Sequence, residues 1–186
     1  MIHLFNSASL PISRWRNGGG ETREIVSYPP GEAEFDWRIS IATIAADGEF
    51  SAFPGIDRII TLLDGEVELY SDDRLRQRLS VNQPYSFRGE DRISARLPAG
   101  ASHDFNIMAR RGHYVPAAGT TTAAFFPPVE AAGVVMVIGG QWQHGQTLLA
   151  AGQGAWWENQ GGRFLPLSND ALLLWGTLLP SFNHGL

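Results

Sequence analysis

Apolar and polar residues alternate through Phe35 to Ile44 (FDWRISIATI), with Phe35, Trp37, Ile39 and Ile41 on one side of an extended chain and Asp36, Arg38, Ser40 and Ala42 on the other. A period of two predicts a strand with one packed face. Its second face carries small or polar groups that suit a lined cavity as well as solvent. Thr22 to Tyr28 also reads as extended and is closed by Pro29, Pro30 and Gly31. Ile59 to Leu63 is apolar on both faces and predicts a deeply buried strand. From Glu66 the half-polar pattern returns, with Val67 and Leu69 inward and Glu66 and Glu68 outward. Asp47-Gly48, Pro54-Gly55 and Asp64-Gly65 mark the turns between these runs. Ser71 to Arg78 reads as a charged loop or one helical turn. Short strands recur at Tyr85 to Arg88, Ile93 to Leu97 and Phe105 to Ala109, and such spacing predicts an all-β sandwich or barrel.

Between Arg110 and Gly133 the composition shifts to Pro, Ala, Gly and Thr, periodicity fades, and a junction is expected. Beyond it, Val134 to Ile138, Thr147 to Ala150, Arg163 to Leu167 and Leu172 to Leu179 are short apolar segments separated by turn residues. No helix long enough for an α/β crossover is predicted, and two β units of roughly 90 residues fit the chain. Leu172 to Leu179 is apolar enough either to pack the two units together or to form a homodimer face.

Composition narrows the chemistry. Hydrophobic residues make up 44% and charged residues 18% of the chain, which is a globular balance and not a disordered one. Cysteine is absent, which excludes disulfides, thiolate catalysis and thiolate zinc sites. Lysine is absent too, so no residue can form a Schiff base. A net charge of −5 without a basic block argues against a nucleic-acid partner. The chain does not open on a basic start followed by an apolar segment, and no later run approaches the ~18 apolar residues of a membrane helix. A cytoplasmic protein without a membrane partner is expected.

Arg14 to Ile25, RWRNGGGETREI, places Gly18, Gly19 and Gly20 in a row. Such a run serves either as a flexible turn or as backbone that must approach something closely or take a positive φ. The histidines His3, His103, His113, His144 and His184 are scattered, with no pair at a metal-binding spacing, so neither a metal nor another cofactor is expected. There is no G-x-S-x-G and no phosphate loop. What remains is a set of Arg, Asn, Thr and Ser residues on strand faces, better suited to holding a small anionic metabolite than to attacking it. Arg38 and Ser40 share the polar face of their strand, where the arginine either clamps a carboxylate or faces water. Asp104 and Asn106 share a face with Met108, and a buried pair of that kind must bond to a ligand or to a turn. The glycines would present N–H groups to the anion as a rim, with Asn17 and Thr22 as its polar ends.

WRNGGGETREI at 15 to 25, DWRISIATI at 36 to 44, FSAFPGIDRIITLLDG at 50 to 65 and DFNIMARRG at 104 to 112 together resemble the HutD/Ves family, with essentially the whole chain covered. The resemblance implies a bicupin, two cupin-type jelly-roll barrels in one chain. The first would span 1–112 with the glycine-rich rim, and 113–186 would hold a linker and a second, degenerate barrel packed against it. It also implies a bacterial protein associated with histidine utilisation, without a settled catalytic activity. A metal cupin would carry His-x-His a few residues after Gly48, where Pro54 and Ile56 stand; PAGASHDFN matches the second cupin motif only through Pro98, Gly100 and His103. A metal-free pocket is therefore expected. The preferred reading is a non-enzymatic carboxylate-binding or regulatory protein, with urocanate or N-formylglutamate as the ligands that the resemblance suggests. Arg38 would be its clamp, and Asn17, Thr22, Ser40, Asp104 and Asn106 its hydrogen-bonding groups. The alternatives are a metal-free isomerase or hydrolase with His103 as acid-base, and an interaction subunit of a pathway enzyme or regulator.

Overall fold

The computed structural model describes residues 1–181, so His184 lies outside the described residues. No α-helix occurs among them; the single helical turn is a 3-10 turn at Ser7–Ser9. After β1 (Ile2–Asn6) come β2 (Ile12–Arg14), β3 (Gly20–Tyr28), β4 (Trp37–Ile44), β5 (Gly48–Glu49) and β6 (Ile56–Asp64). They are followed by β7 (Glu68–Ser71), β8 (Arg74–Arg78), β9 (Pro84–Arg88), β10 (Ser94–Arg96) and β11 (Ser102–Arg110). The remaining strands are β12 (Tyr114–Thr121), β13 (Ala132–Gly139), β14 (Gln141–His144), β15 (Thr147–Ala150), β16 (Gln153–Trp157), β17 (Leu165–Pro166) and β18 (Leu172–Pro180). The chain divides into two compact units. One is Pro11–Arg111; the other joins Met1–Leu10 to the chain from Gly112 onward.

In the unit Pro11–Arg111, a six-stranded antiparallel sheet runs β2-β3-β4-β11-β6-β9 and a four-stranded sheet runs β5-β10-β7-β8. Ile44, Ile60 and Leu62 of the large sheet meet Leu69 and Ala95 of the small one in a single apolar cluster. The small sheet follows the predicted alternation, with Val67 and Leu69 buried and Glu68 only half-buried. β4, β6 and β11 sit mid-sheet and are buried along most of their length, and among their apolar residues they carry the buried polar groups Ser40, Arg58, Asp104 and Asn106. The other unit repeats the plan, with a five-stranded sheet β1-β16-β13-β18-β12 and a three-stranded sheet β15-β14-β17. Each unit is thus a jelly-roll barrel of the cupin type, made of a large and a small antiparallel sheet around its own core.

Four segments depart from the sequence-based expectation. Arg74 to Arg78 is a strand, not a loop, because Asp72 and Asp73 take consecutive left-handed conformations (φ 52° and 60°) and turn the chain back as a tight hairpin. Tyr114 to Thr121 lies within the expected junction yet forms β12. It pairs only with β18 at the sheet edge, where Pro116 and small residues are tolerated. Ile2 to Asn6, assigned from sequence to the first unit, instead pairs with Gln153 to Trp157 in the C-terminal unit. Finally, Leu172 to Leu179 is a central strand between β13 and β12, with Leu173, Leu174 and Leu178 fully buried. Burial along most of its length explains its apolar character.

Candidate functional site

The register of the large sheet in the unit Pro11–Arg111 builds the floor of a cavity. β11 pairs with β4 on one side and β6 on the other, so Asp104 lies between Ala42 and Leu62, Asn106 between Ser40 and Ile60, and Met108 between Arg38 and Arg58. Residues directly opposite in neighbouring strands share a face. Ile60 and Leu62 belong to the apolar cluster between the two sheets, so this is the face turned to the barrel interior. A cavity of about 490 Å³ opens over it. Arg38, Ser40, Arg58, Asp104, Asn106 and Met108 contribute to its lining from the strands; Trp15, Phe50 and Phe53 contribute aromatic surface, and Arg14 and Arg16 add positive charge. A cleft of this size with apolar walls and a few convergent polar groups is the usual form of a small-molecule site.

A bulge in β6 lies beside the floor at Asp104. His103 and Asp104 are adjacent, yet they pair with Asp64 and Leu62, skipping Leu63. The extra residue belongs to β6; β11 itself pairs with β4 without interruption, and its alternation turns Asp104 inward and leaves His103 outside. Asp104 is 1% exposed. Its Oδ1 accepts a short hydrogen bond from Asn106 Nδ2, whereas its Oδ2 has no partner among the described residues. Burial pushes its carboxyl up to about 7, against the lowering influence of the Asn106 hydrogen bond and the charge of Arg58.

Arg58 is the second buried charge, 8% exposed. Its guanidinium carbon lies 4.8 Å from the ring centre of Phe87, 5.2 Å from that of Phe53 and 5.5 Å from that of Phe50. This aromatic cage orients the guanidinium without using its hydrogen-bond donors. One nitrogen makes a long 3.4 Å contact with the Ser51 carbonyl, and Nε has no partner among the described residues. Desolvation lowers its pKa to about 10, with Asp104 opposing and Arg38 adding to the shift, so it remains a cation at neutral pH. Among the described residues no ion pair links Arg58 to Asp104. Two buried, mutually unpaired charges facing one cavity are costly to the fold and mark where a ligand's groups can be met.

Six of the nine residues expected from sequence to bind a ligand line this cavity: Asn17, Thr22, Arg38, Ser40, Asp104 and Asn106. Five of these six already have bonds within the protein, Asp104 and Asn106 to each other and three to other residues. Arg38 Nε donates to Glu24 Oε1 at 3.0 Å, Thr22 Oγ1 accepts from Trp15 Nε1 at 2.8 Å, and Asn17 Oδ1 accepts from the Gly19 N–H at 2.8 Å. Gly18, Gly19 and Gly20, expected as anion donors, lie outside this lining. The Gly18 N–H is bonded to the Trp15 carbonyl and the Gly19 N–H to Asn17. Gly18 is needed for its φ of +73°; at Gly20 a Cβ would stand 2.4 Å from the Thr43 carbonyl and 2.8 Å from the Trp15 ring. The glycines therefore seat Trp15 at the cavity edge.

His103 does have an acid partner, Asp64, with Nδ1 2.9 Å from one carboxylate oxygen. The pair is exposed and His103 is not in the lining, so the site offers the cavity no histidine. No cluster of three metal-ligating side chains is found among the described residues. The sequence reading missed Arg58, Trp15, Phe50 and Phe53. A signal for Arg58 existed: it is in register with the apolar Ile60 and Leu62 on a strand buried on both faces, one residue before the run taken as buried.

The family model HutD matches residues 7–175. Protein Ves of Citrobacter koseri is 42% identical over 185 residues, covering 97% of each chain. The structure of HutD from Pseudomonas fluorescens SBW25, described as a formate condition, superposes with a TM-score of 0.83 at 26% identity and covers 97% of this chain and 99% of its own. A cupin 2 conserved barrel domain protein from Leptotrichia buccalis gives a TM-score of 0.63 at 12% identity, covering 95% and 96% of the two chains, and shows the shared fold alone.

Proposed function

The chain belongs to the HutD family, and from that premise we propose that its N-terminal barrel binds a small carboxylate of histidine breakdown, as a sensor or regulatory protein and not as an enzyme. The observation that carries this reading is Arg58, a buried, charged guanidinium held by three phenylalanine rings, with its Nε unpaired among the described residues and facing a cavity of about 490 Å³. Arginine presents a planar fork that matches a carboxylate, and in a desolvated site that match is strengthened. Arg38, Arg14 and Arg16 add a positive field around the same cavity. Arg58 replaces Arg38 as the principal clamp, because Arg38 is already engaged with Glu24. Urocanate and N-formylglutamate are the candidate ligands, and formate is the smallest probe of the same group.

Calorimetric titration and thermal unfolding with these three acids test the proposal. Saturable heat is expected from at least one, and a ligand at one hundred times its dissociation constant adds about 2.7 kcal/mol of stability. Arg58→Met should abolish the response while preserving the fold, since an apolar side chain of similar length replaces a buried unpaired charge. An absence of response to all three at millimolar concentration, or an undiminished response in Arg58→Met, overturns the reading.

A further inference from the structure

An anion clamp accounts for Arg58 but not for Asp104. In its ionised form a carboxylate on the floor of an anion site repels the ligand it should help to hold, unless the ligand brings something that answers it. Asp104 is 1% exposed and lines the cavity, and its Oδ2 has no partner among the described residues. Its position is fixed twice over: Asn106 holds Oδ1, and the pairing of β11 with β4 and β6 keeps the residue on the inward face. An acceptor that is buried, oriented and unpaired exacts a desolvation cost that only a donor can offset.

The two charged groups are anchored at different points along the floor, though near enough for each to shift the other's pKa, and the residues between them indicate what spans them. Arg58 and Arg38 flank Met108, four residues from Asp104 along β11, which is about 13 Å of backbone at strand spacing. Ser40 and Asn106 stand midway, both buried and both in the lining. Trp15, Phe50 and Phe53 provide flat apolar surface. Four arginines in the lining against Glu49 and Asp104 make the surroundings net positive, which disfavours a cationic group and favours a neutral N–H.

We propose that the cavity selects a two-ended ligand, an acid whose carboxylate lies at Arg58 and Arg38 and whose neutral N–H, on a heteroaromatic ring or an amide, donates to Asp104 Oδ2. This rests on the carboxylate reading above and makes Asp104 a specificity-determining residue of that site. A site built to bond an N–H rejects the analogue that lacks it, because the acceptor is then left buried and unpaired.

The test is a pair of shape-matched probes, 3-(imidazol-4-yl)acrylate and 3-(2-furyl)acrylate, which share a carboxylate and a five-membered ring but differ in the N–H. N-formylglutamate and its N-methyl analogue form a second pair. Calorimetry on the full-length protein should show the N–H member of at least one pair bound tenfold or more tightly, equivalent to about 1.4 kcal/mol. Asp104→Leu should bring that pair within twofold of each other. Equal affinities of wild type for both members of each pair overturn this inference and leave the carboxylate reading standing, as does a preference that survives in Asp104→Leu. If no probe binds at all, the carboxylate reading falls and this inference with it. The wild-type comparison decides even where the variant fails to fold.

Discussion

The two barrels share a plan, a large antiparallel sheet and a small one around an interior, and fill that interior in opposite ways. In the C-terminal unit Trp142, Trp157 and Phe164 are fully buried within one cluster that also takes Val135, Val137 and Leu173 from the large sheet. Trp157 Nε1 donates to the Ala131 carbonyl, and Gly133 and Gly161 leave room for its ring; a Cβ at either would stand 2.5 or 2.6 Å from indole atoms. In the N-terminal unit Ile44, Ile60 and Leu62 join an apolar cluster with the small sheet. Beside them, on the same inward face, Arg58, Asp104 and Asn106 stand where large apolar side chains would otherwise pack, and a cavity remains. The fold therefore does not decide whether a barrel is a container. The side chains on the inward face of two or three strands do, and glycines serve each outcome, seating a rim tryptophan in one barrel and core tryptophans in the other.

The largest effect that should separate the two barrels is truncation of the filled one. Trp157→Ala should cost about 3–5 kcal/mol through lost burial and a residual cavity. A loss under about 1 kcal/mol in urea unfolding would show that the aromatic plug is not what stabilises that unit.

Next in size is the pH response of the hollow barrel. Asp104 sits among Asn106, Arg58, His103 and Asp64, and its carboxyl is raised from an ordinary value near 4 to about 7 in the folded protein. A raised acid contributes its full share of stability below its unfolded pKa and loses it as pH climbs through the folded one. Between pH 4 and pH 8 that loss is on the order of 3 kcal/mol. Asp104→Asn should flatten this dependence and be the more stable protein at pH 8. A pH profile identical in wild type and variant would break the assignment.

Gly20→Ala comes third, at about 1–3 kcal/mol, because its Cβ meets the Thr43 backbone carbonyl and the Trp15 ring. A displaced Trp15 should also change in fluorescence, and unaltered stability and emission together would remove the glycine run's shaping role. The smallest effect concerns Glu24→Gln. The Arg38–Glu24 bridge is partly exposed, so stability should move by no more than about 0.5 kcal/mol. Freeing Arg38 should nonetheless strengthen formate binding several-fold; unchanged or weaker binding would exclude Arg38 from the clamp.

The parts of the chain legible in advance were those where a single physical rule dominates. The alternation in Phe35 to Ile44 announces β4, and its polar face, together with that of Asp104 and Asn106, announces the cavity floor, because a period of two carries directly into which side chains share a surface. Segments governed by pairing partners were not legible. Arg74 to Arg78 is exposed along its length and has no alternation to display, and Tyr114 to Thr121 extends only because β18 lies beside it. Arg58 was hidden for a different reason. A charge inside a barrel becomes plausible only with the aromatic rings that cage it, two from the turn region before β6 at positions 50 and 53 and the third, Phe87, brought opposite Arg58 by the pairing of β6 with β9.

The pairing of β1 with β16 has a consequence in time. Ile2 is opposite Trp157 and Asn6 opposite Gln153, so a strand made early during synthesis has no partner until almost the whole chain has been made. At about 5–20 residues per second this interval is on the order of ten seconds. The N-terminal barrel, whose strands are contiguous from Pro11 to Arg111, can complete itself meanwhile. The C-terminal barrel closes afterwards around a strand that has waited unpaired. Nascent chains stalled before Gln153 should therefore display Ile2 to Asn6 to proteases and chaperones, and release of the finished chain should bury it.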